Sequence, residues 1–138
     1  MSETANEIRM EIKGLMLDPT SNVPIVILRD VESDLFLPIW IGGFEAHAIA
    51  LKIEGVEVPR PLTHDLLRSV VDSLGAVVEK IVISDLRENT FFAHIHLVHE
   101  NGTLAVDSRP SDAIALALRT EAPIFVLRSV LEKAQAVD

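Results

Sequence analysis

The chain contains no cysteine, which excludes disulfide staples and thiolate metal sites and fits a reducing compartment. It has no tyrosine and a single tryptophan, Trp40, beside five phenylalanines, so aromatic surfaces on which bases could stack are sparse. Positive charge is scarce too. Twelve Lys and Arg stand against 21 Asp and Glu, a net charge of −9, and the basic residues are scattered rather than striped. That argues against a general electrostatic grip on nucleic acid; any polyanion would need a local positive site or a bridging cation. No apolar run approaches the roughly 18 residues of a membrane helix, and Met1 to Arg9 lacks the apolar core of a secretory signal. The expectation is a soluble, cytoplasmic protein with no membrane partner. There is no Walker lysine, no complete GxGxxG and no GxSxG nucleophile turn, so nucleotide cradling and serine catalysis by those devices are not supported.

What is present is enough for one folded unit. A chain of 138 residues that is 49% hydrophobic can bury one real core without staples. Residues 1–9 read as a disordered tail and residues 10–138 as the domain. Strands are expected at Met10–Leu17, Ile25–Asp30, Leu35–Ile41, Val77–Leu86, Thr90–His99, Thr103–Asp107 and Pro123–Leu127. Leu35–Ile41 is nearly all apolar, which predicts cover on both faces, while Pro38 marks it as an edge or an interrupted strand. Helices are expected at Phe44–Ile53, about 64–74 with Thr63 as cap, Ser111–Thr120 and Ser129–Ala136, with Gly55 and Gly75 as stops. Strands precede and interrupt helices without strict alternation. The fold class is therefore α+β, a single compact domain with a mixed sheet of about six to seven strands and three to four helices.

The chemistry concentrates at helix starts. Asp107-Ser-Arg-Pro-Ser-Asp-Ala-Ile-Ala-Leu-Ala-Leu-Arg119 sets two Asp, one Arg and two Ser against an apolar, alanine-rich helix. No polar face appears before Arg119, so this helix should be buried all round. Arg60-Pro-Leu-Thr-His-Asp-Leu-Leu67 echoes it: Arg-Pro, a hydroxyl residue, Asp, then a helix. Ser111 is a natural cap and Asp112 complements the helix dipole, but capping leaves Asp107 and Arg109 unexplained. They form either a salt bridge or a phosphate and divalent-ion site. A third junction, Gly42-Gly43-Phe44-Glu45, places one more carboxylate in a first turn. If the three starts converge, a divalent metal with phosphate becomes attractive; otherwise Glu45, Asp65 and Asp112 are ordinary caps. Among five histidines, His64 beside Asp65 is the best general base. His47 reads as a core histidine. His94 and His96 share one strand face and could share a metal, but no third ligand stands near them in sequence.

Leu37-Pro-Ile-Trp-Ile-Gly42, Glu45-Ala46, Arg60-Pro-Leu-Thr-His-Asp65, Thr90-Phe91 with Ala93, and Asp107 to Arg119 together resemble the bifunctional nuclease domain family. The resemblance runs from about Met10 to Ala134. It implies a compact α+β domain that forms dimers or larger homo-oligomers, and nuclease activity on both RNA and DNA. It carries no residue-by-residue catalytic set.

Residue types and resemblance together lead to an expected phosphodiester hydrolase acting on RNA and DNA, single strands preferred, assisted by a divalent metal such as Mg²⁺ or Mn²⁺. His64, Asp65 and Asp112 are its expected catalytic residues. Arg60, Arg109 and Ser111 are expected on substrate phosphate, and Asp65, Asp107, Asp112 and Glu45 on the metal. The alternative is a non-catalytic, oligomeric module binding an anion or a protein, in which Arg60 pairs with Asp65 and Arg109 with Asp107.

Overall fold

The computed structural model describes residues 6–136. The described elements run β1 (Glu7–Leu17), β2 (Pro24–Asp30), β3 (Phe36–Trp40), α1 (Gly43–Ile53), α2 (Thr63–Ser73), β4 (Val77–Arg87), β5 (Thr90–His99), β6 (Gly102–Ser108), α3 (Pro110–Thr120), β7 (Ile124–Leu127) and α4 (Arg128–Ala136). The strands form one seven-stranded sheet in the order β3-β2-β1-β7-β4-β5-β6. All neighbours are antiparallel except β4 and β7, so the mixed α+β architecture is as expected. No helix among the described residues is long and apolar enough to cross a membrane.

Local chemistry explains the joints. Glu88 and Asn89 both adopt positive φ between β4 and β5, the geometry that lets a two-residue turn match the twist of its strands. The short β7 wedges between β1 and β4. Its Ile124 pairs with both Met10 and Ile81, and Val126 with Ile8 and Ile83, which joins the two antiparallel halves into one sheet. Helix α3, which follows β6, packs against β4 and β5 and also touches α1 and α2. Ala113, Ile114 and Ala115 are wholly buried, and Leu116 and Ala117 nearly so. This is the all-round burial that its sequence predicts, and the small alanines let the neighbouring helices approach closely.

Several expectations are corrected. Glu7, Ile8 and Arg9 are strand rather than tail, paired with β7 from Leu127 to Phe125. The Glu7 carboxylate is buried against the Lys80 ammonium at 2.9 Å, and that pairing anchors the strand's first residue. The tail expected further upstream lies outside the described residues. Strand β3 is an edge, as Pro38 requires, but only one face is covered: Leu37 and Ile39 are buried while Phe36, Pro38 and Trp40 are exposed. Helix α3 starts at Pro110, with Arg109 rather than Ser111 at the N-cap, because proline at the first helical position is already set at the right φ. Helix α2 likewise starts at Thr63 with Leu62 at the cap. Asp65 Oδ2 accepts the Leu62 backbone N–H at 3.0 Å in place of the expected threonine cap.

The helical layer is tied by one side chain. Arg119, only 4% exposed, donates through Nε to Asp65 Oδ1 at 2.7 Å, through Nη1 to the Ala115 carbonyl at 2.9 Å and through Nη2 to the Ala48 carbonyl at 3.0 Å. One guanidinium thus joins α1, α2 and α3. Arg68 of α2 returns the link by donating to the Arg119 carbonyl. Arg119→Met should lower the unfolding free energy by about 3–5 kcal/mol, because it takes the guanidinium partner from the Asp65 carboxylate and breaks the clasp to the Ala48 and Ala115 carbonyls. Arg119→Lys should not restore it, since an ammonium lacks the planar fork. Urea denaturation of both variants measures this.

Candidate functional site

The first turns of α1, α2 and α3 do converge. They line a cleft of about 1140 Å³ together with the β5 start and the β6 end. At its centre His64 Nε2 lies 2.9 Å from Asp112 Oδ1. Arg109, at the α3 N-cap, donates through Nε and Nη2 to Asp112 Oδ2 at 3.1 and 2.9 Å. Its Nη2 also lies 3.6 Å from Glu45 Oε1. Glu45 folds back over Gly42, where any Cβ would collide with the carboxylate; that glycine makes room for the acid. His64 is buried, whereas the Arg109 side chain is 66% exposed. The network therefore has a fixed inner end and a cationic outer end.

The carboxylates are held ionised for different reasons. Burial pushes the Asp112 carboxyl up, but hydrogen bonds from His64 and Arg109, with the Arg109 charge, bring it below the ordinary carboxylate value. For Asp65 the Leu62 backbone N–H is the largest influence downward. Burial opposes it, and the Arg119 hydrogen bond and charge add to it. The Asp112 carboxylate accepts from the facing His64 Nε2, so in a neutral ring Nδ1 is the nitrogen with the lone pair.

The expected residues divide into three groups. His64, Asp112, Arg109 and Glu45 come together in the cleft, and Asp107 lines it. Asp65 turns away to Arg119 and Arg60 lies in an adjoining cavity of about 430 Å³, so the expected Arg60–Asp65 bridge is replaced by Arg119–Asp65. The expected Arg109–Asp107 bridge is replaced by Arg109–Asp112, because a partner three residues along the helix is closer to hand. Ser111 is buried inside the first turn and does not line the cleft, so it cannot hold substrate phosphate there.

The four carboxylates expected on a metal are Glu45, Asp65, Asp107 and Asp112. Among the described residues no three His, Asp or Glu side chains are grouped to hold an ion. Both Asp112 oxygens, both Asp65 oxygens and one Glu45 oxygen already face N–H donors, and that donor set does not fit a preformed divalent-ion site.

Three residues escaped the sequence reading. Arg119 was legible only as the polar end of an apolar helix. His47 is exposed rather than in the core, and with Phe44, three residues before it, lines the cleft; helical spacing could have placed both on one face. Away from the cleft, His94 Nδ1 lies 3.0 Å from Ser84 Oγ and its ring meets His96 edge-on at 6.5 Å between centroids. Burial, followed by the Lys80 charge, holds His96 below its ordinary value.

The Asp112 pairing has a signed pH consequence. Its folded-state value is depressed, so its stabilisation is present above the unfolded carboxylate value near about 4 and lost as pH falls through the folded value. Asp112→Asn should therefore be less stable than the wild type at pH 7, with the difference closing as the pH is lowered below about 4. Chemical denaturation across that range checks the sign; a gap that widens in acid contradicts it.

The profile of the bifunctional nuclease domain matches residues 26–138. An uncharacterized protein of Mycobacterium tuberculosis is 43% identical over 125 residues, covering 91% of this chain and 74% of the relative. Bifunctional nuclease 1 of Oryza sativa subsp. japonica is 26% identical over 116 residues, 82% of this chain and 35% of the relative. Bifunctional nuclease 2 of Arabidopsis thaliana is 27% identical over 105 residues, 74% of this chain and 32% of the relative. The matched region therefore spans about a third of these plant proteins.

Proposed function

The chain belongs to the bifunctional nuclease domain family, and on that premise we propose that it hydrolyses phosphodiester bonds of RNA and DNA, single strands in preference, in the cleft at the three helix starts. The observation that carries this reading is the Asp112–His64 pair beside the exposed Arg109 guanidinium. His64 Nδ1 takes a proton from water as its oxygen attacks phosphorus. The P–O bond to the leaving sugar oxygen then breaks, and the imidazolium returns the proton to that oxygen. Asp112 orients the ring and stabilises its charged form, in the way a buried carboxylate serves a catalytic histidine. Arg109, anchored on one side by Asp112 and Glu45, offers its remaining N–H groups to the charge that builds on the phosphoryl oxygens.

Cleavage of end-labelled single-stranded RNA and DNA by purified protein tests the reading. His64→Ala should lower kcat by about 10²–10⁴ and Arg109→Gln by about 10²–10³, with both variants folded. Arms with Mg²⁺, Mn²⁺ and EDTA test the expected divalent-ion requirement separately. Cleavage at equal rates by wild type and both variants would remove the site from the reaction.

A second reading, a non-catalytic oligomeric module, draws on helix α2. Its apolar stripe, Leu66, Leu67, Val70, Val71 and Leu74, should be covered, yet only Val71 is buried. Leu66 is 57%, Val70 46% and Leu74 69% exposed, which is a surface suited to a second copy of the chain. The homo-oligomer proposed on this stripe should dissociate in Leu66→Glu/Leu74→Glu. Sedimentation would then report the monomer mass, with circular dichroism unchanged; an unchanged mass excludes this face.

A further inference from the structure

Phe44 is the most exposed large apolar side chain among the described residues, at 90%. It sits in the first turn of α1, directly before Glu45, the residue that steadies Arg109, and it lines the same cleft as His64 and Asp112. Nothing in the helix needs an aromatic ring there, since α1 buries Ala46, Ala48 and Ile49 instead. Pro61 and Leu62 line both the cleft and the smaller cavity, and so mark the boundary between them. That cavity is lined by Lys52 and Arg60, both exposed, and neither is in an ion pair among the described residues. Acid is present as well: Glu57 lies on its rim, while Asp65 is already paired with Arg119.

We infer that the cleft holds a flexible single strand at three points: one base stacked on Phe44, a phosphate on Arg109, and a following phosphate on Lys52 and Arg60 beyond the Pro61–Leu62 ridge. This deepens the nuclease reading and rests on it for the identity of the ligand. The bases of a duplex are already stacked on one another, so a lone exposed ring selects an unpaired base. Two local cations also answer how a chain of net charge −9 could hold a polyanion. They sit beside the cleft, where an ion pair with phosphate need not overcome the charge of the whole surface.

Fluorescence anisotropy with labelled, cleavage-resistant phosphorothioate oligonucleotides, run in EDTA so that binding is read without cleavage, tests this. Phe44→Ala should weaken binding of an octanucleotide about tenfold and Phe44→Trp should restore it. For a strand abasic at every position the wild type should already bind as weakly as Phe44→Ala binds the intact strand, and Phe44→Ala should cause no further loss. Lys52→Gln/Arg60→Gln should leave dinucleotide binding unchanged. With the octanucleotide it should cut affinity and reduce the slope of log affinity against log salt by about 0.7, the value for the one phosphate contact removed. Unchanged binding by Phe44→Ala overturns the inference and leaves the nuclease reading standing. Binding without cleavage in any metal arm overturns the nuclease reading and leaves this one standing. A wild type that binds no single strand overturns both. Loss of binding together with a fall in molecular mass in Phe44→Ala also overturns it, and makes the ring a contact between copies of the chain.

Discussion

The burial of Arg119 is the constraint on which the helical layer depends. A cation that is 4% exposed needs an acceptor at each of its nitrogens. Here the answers come from Asp65 on α2, Ala48 on α1 and Ala115 one turn back on its own helix. Apolar packing alone would leave the three helices free to slide, because burial energy has no direction. The planar guanidinium removes that freedom. Since the Asp65 end of the clasp also accepts the Leu62 N–H, the same contact sets where α2 begins and therefore where His64 stands.

The cleft follows from that placement. With α2 held, His64 in its first turn meets Asp112 in the first turn of α3, and Arg109 closes the network from the N-cap. Each carboxylate complements the positive end of a helix dipole and has its own cation or N–H donors. The inner histidine is thereby given a fixed orientation, while the outer arginine keeps donors free for a ligand. A site built on helix starts rather than on long loops takes its geometry from the packed elements themselves.

The division between cleft and neighbouring cavity follows from a detail of the chain. Arg60-Pro61 and Arg109-Pro110 look like repeats of one motif, yet the second proline opens a helix and the first precedes an N-cap residue by one position. Arg109 therefore becomes the N-cap itself and turns to Asp112. Arg60 stays two residues before its N-cap and lines a separate cavity. The two arginines are alike in sequence and end on opposite sides of the Pro61–Leu62 ridge.

Much of the fold could be read directly. Alternating apolar residues mark the strands, the unbroken run from Ala113 to Leu118 marks a buried helix, and the clustered Asp, Arg and His mark the helix starts, because each signal is local and set by the period of the backbone. The site was legible in part: His64, Arg109, Asp112 and Glu45 were identifiable by type and by position at a dipole end. Their pairing was not. Whether Asp65 faces Arg60 or Arg119, 54 residues away, depends on how three helices cross, and no local pattern encodes a crossing. The same holds for Phe44, His47 and the α2 stripe. Sequence periodicity says which residues share a face of a helix; only the packed layer decides which face is covered and which is left to water, substrate or another subunit.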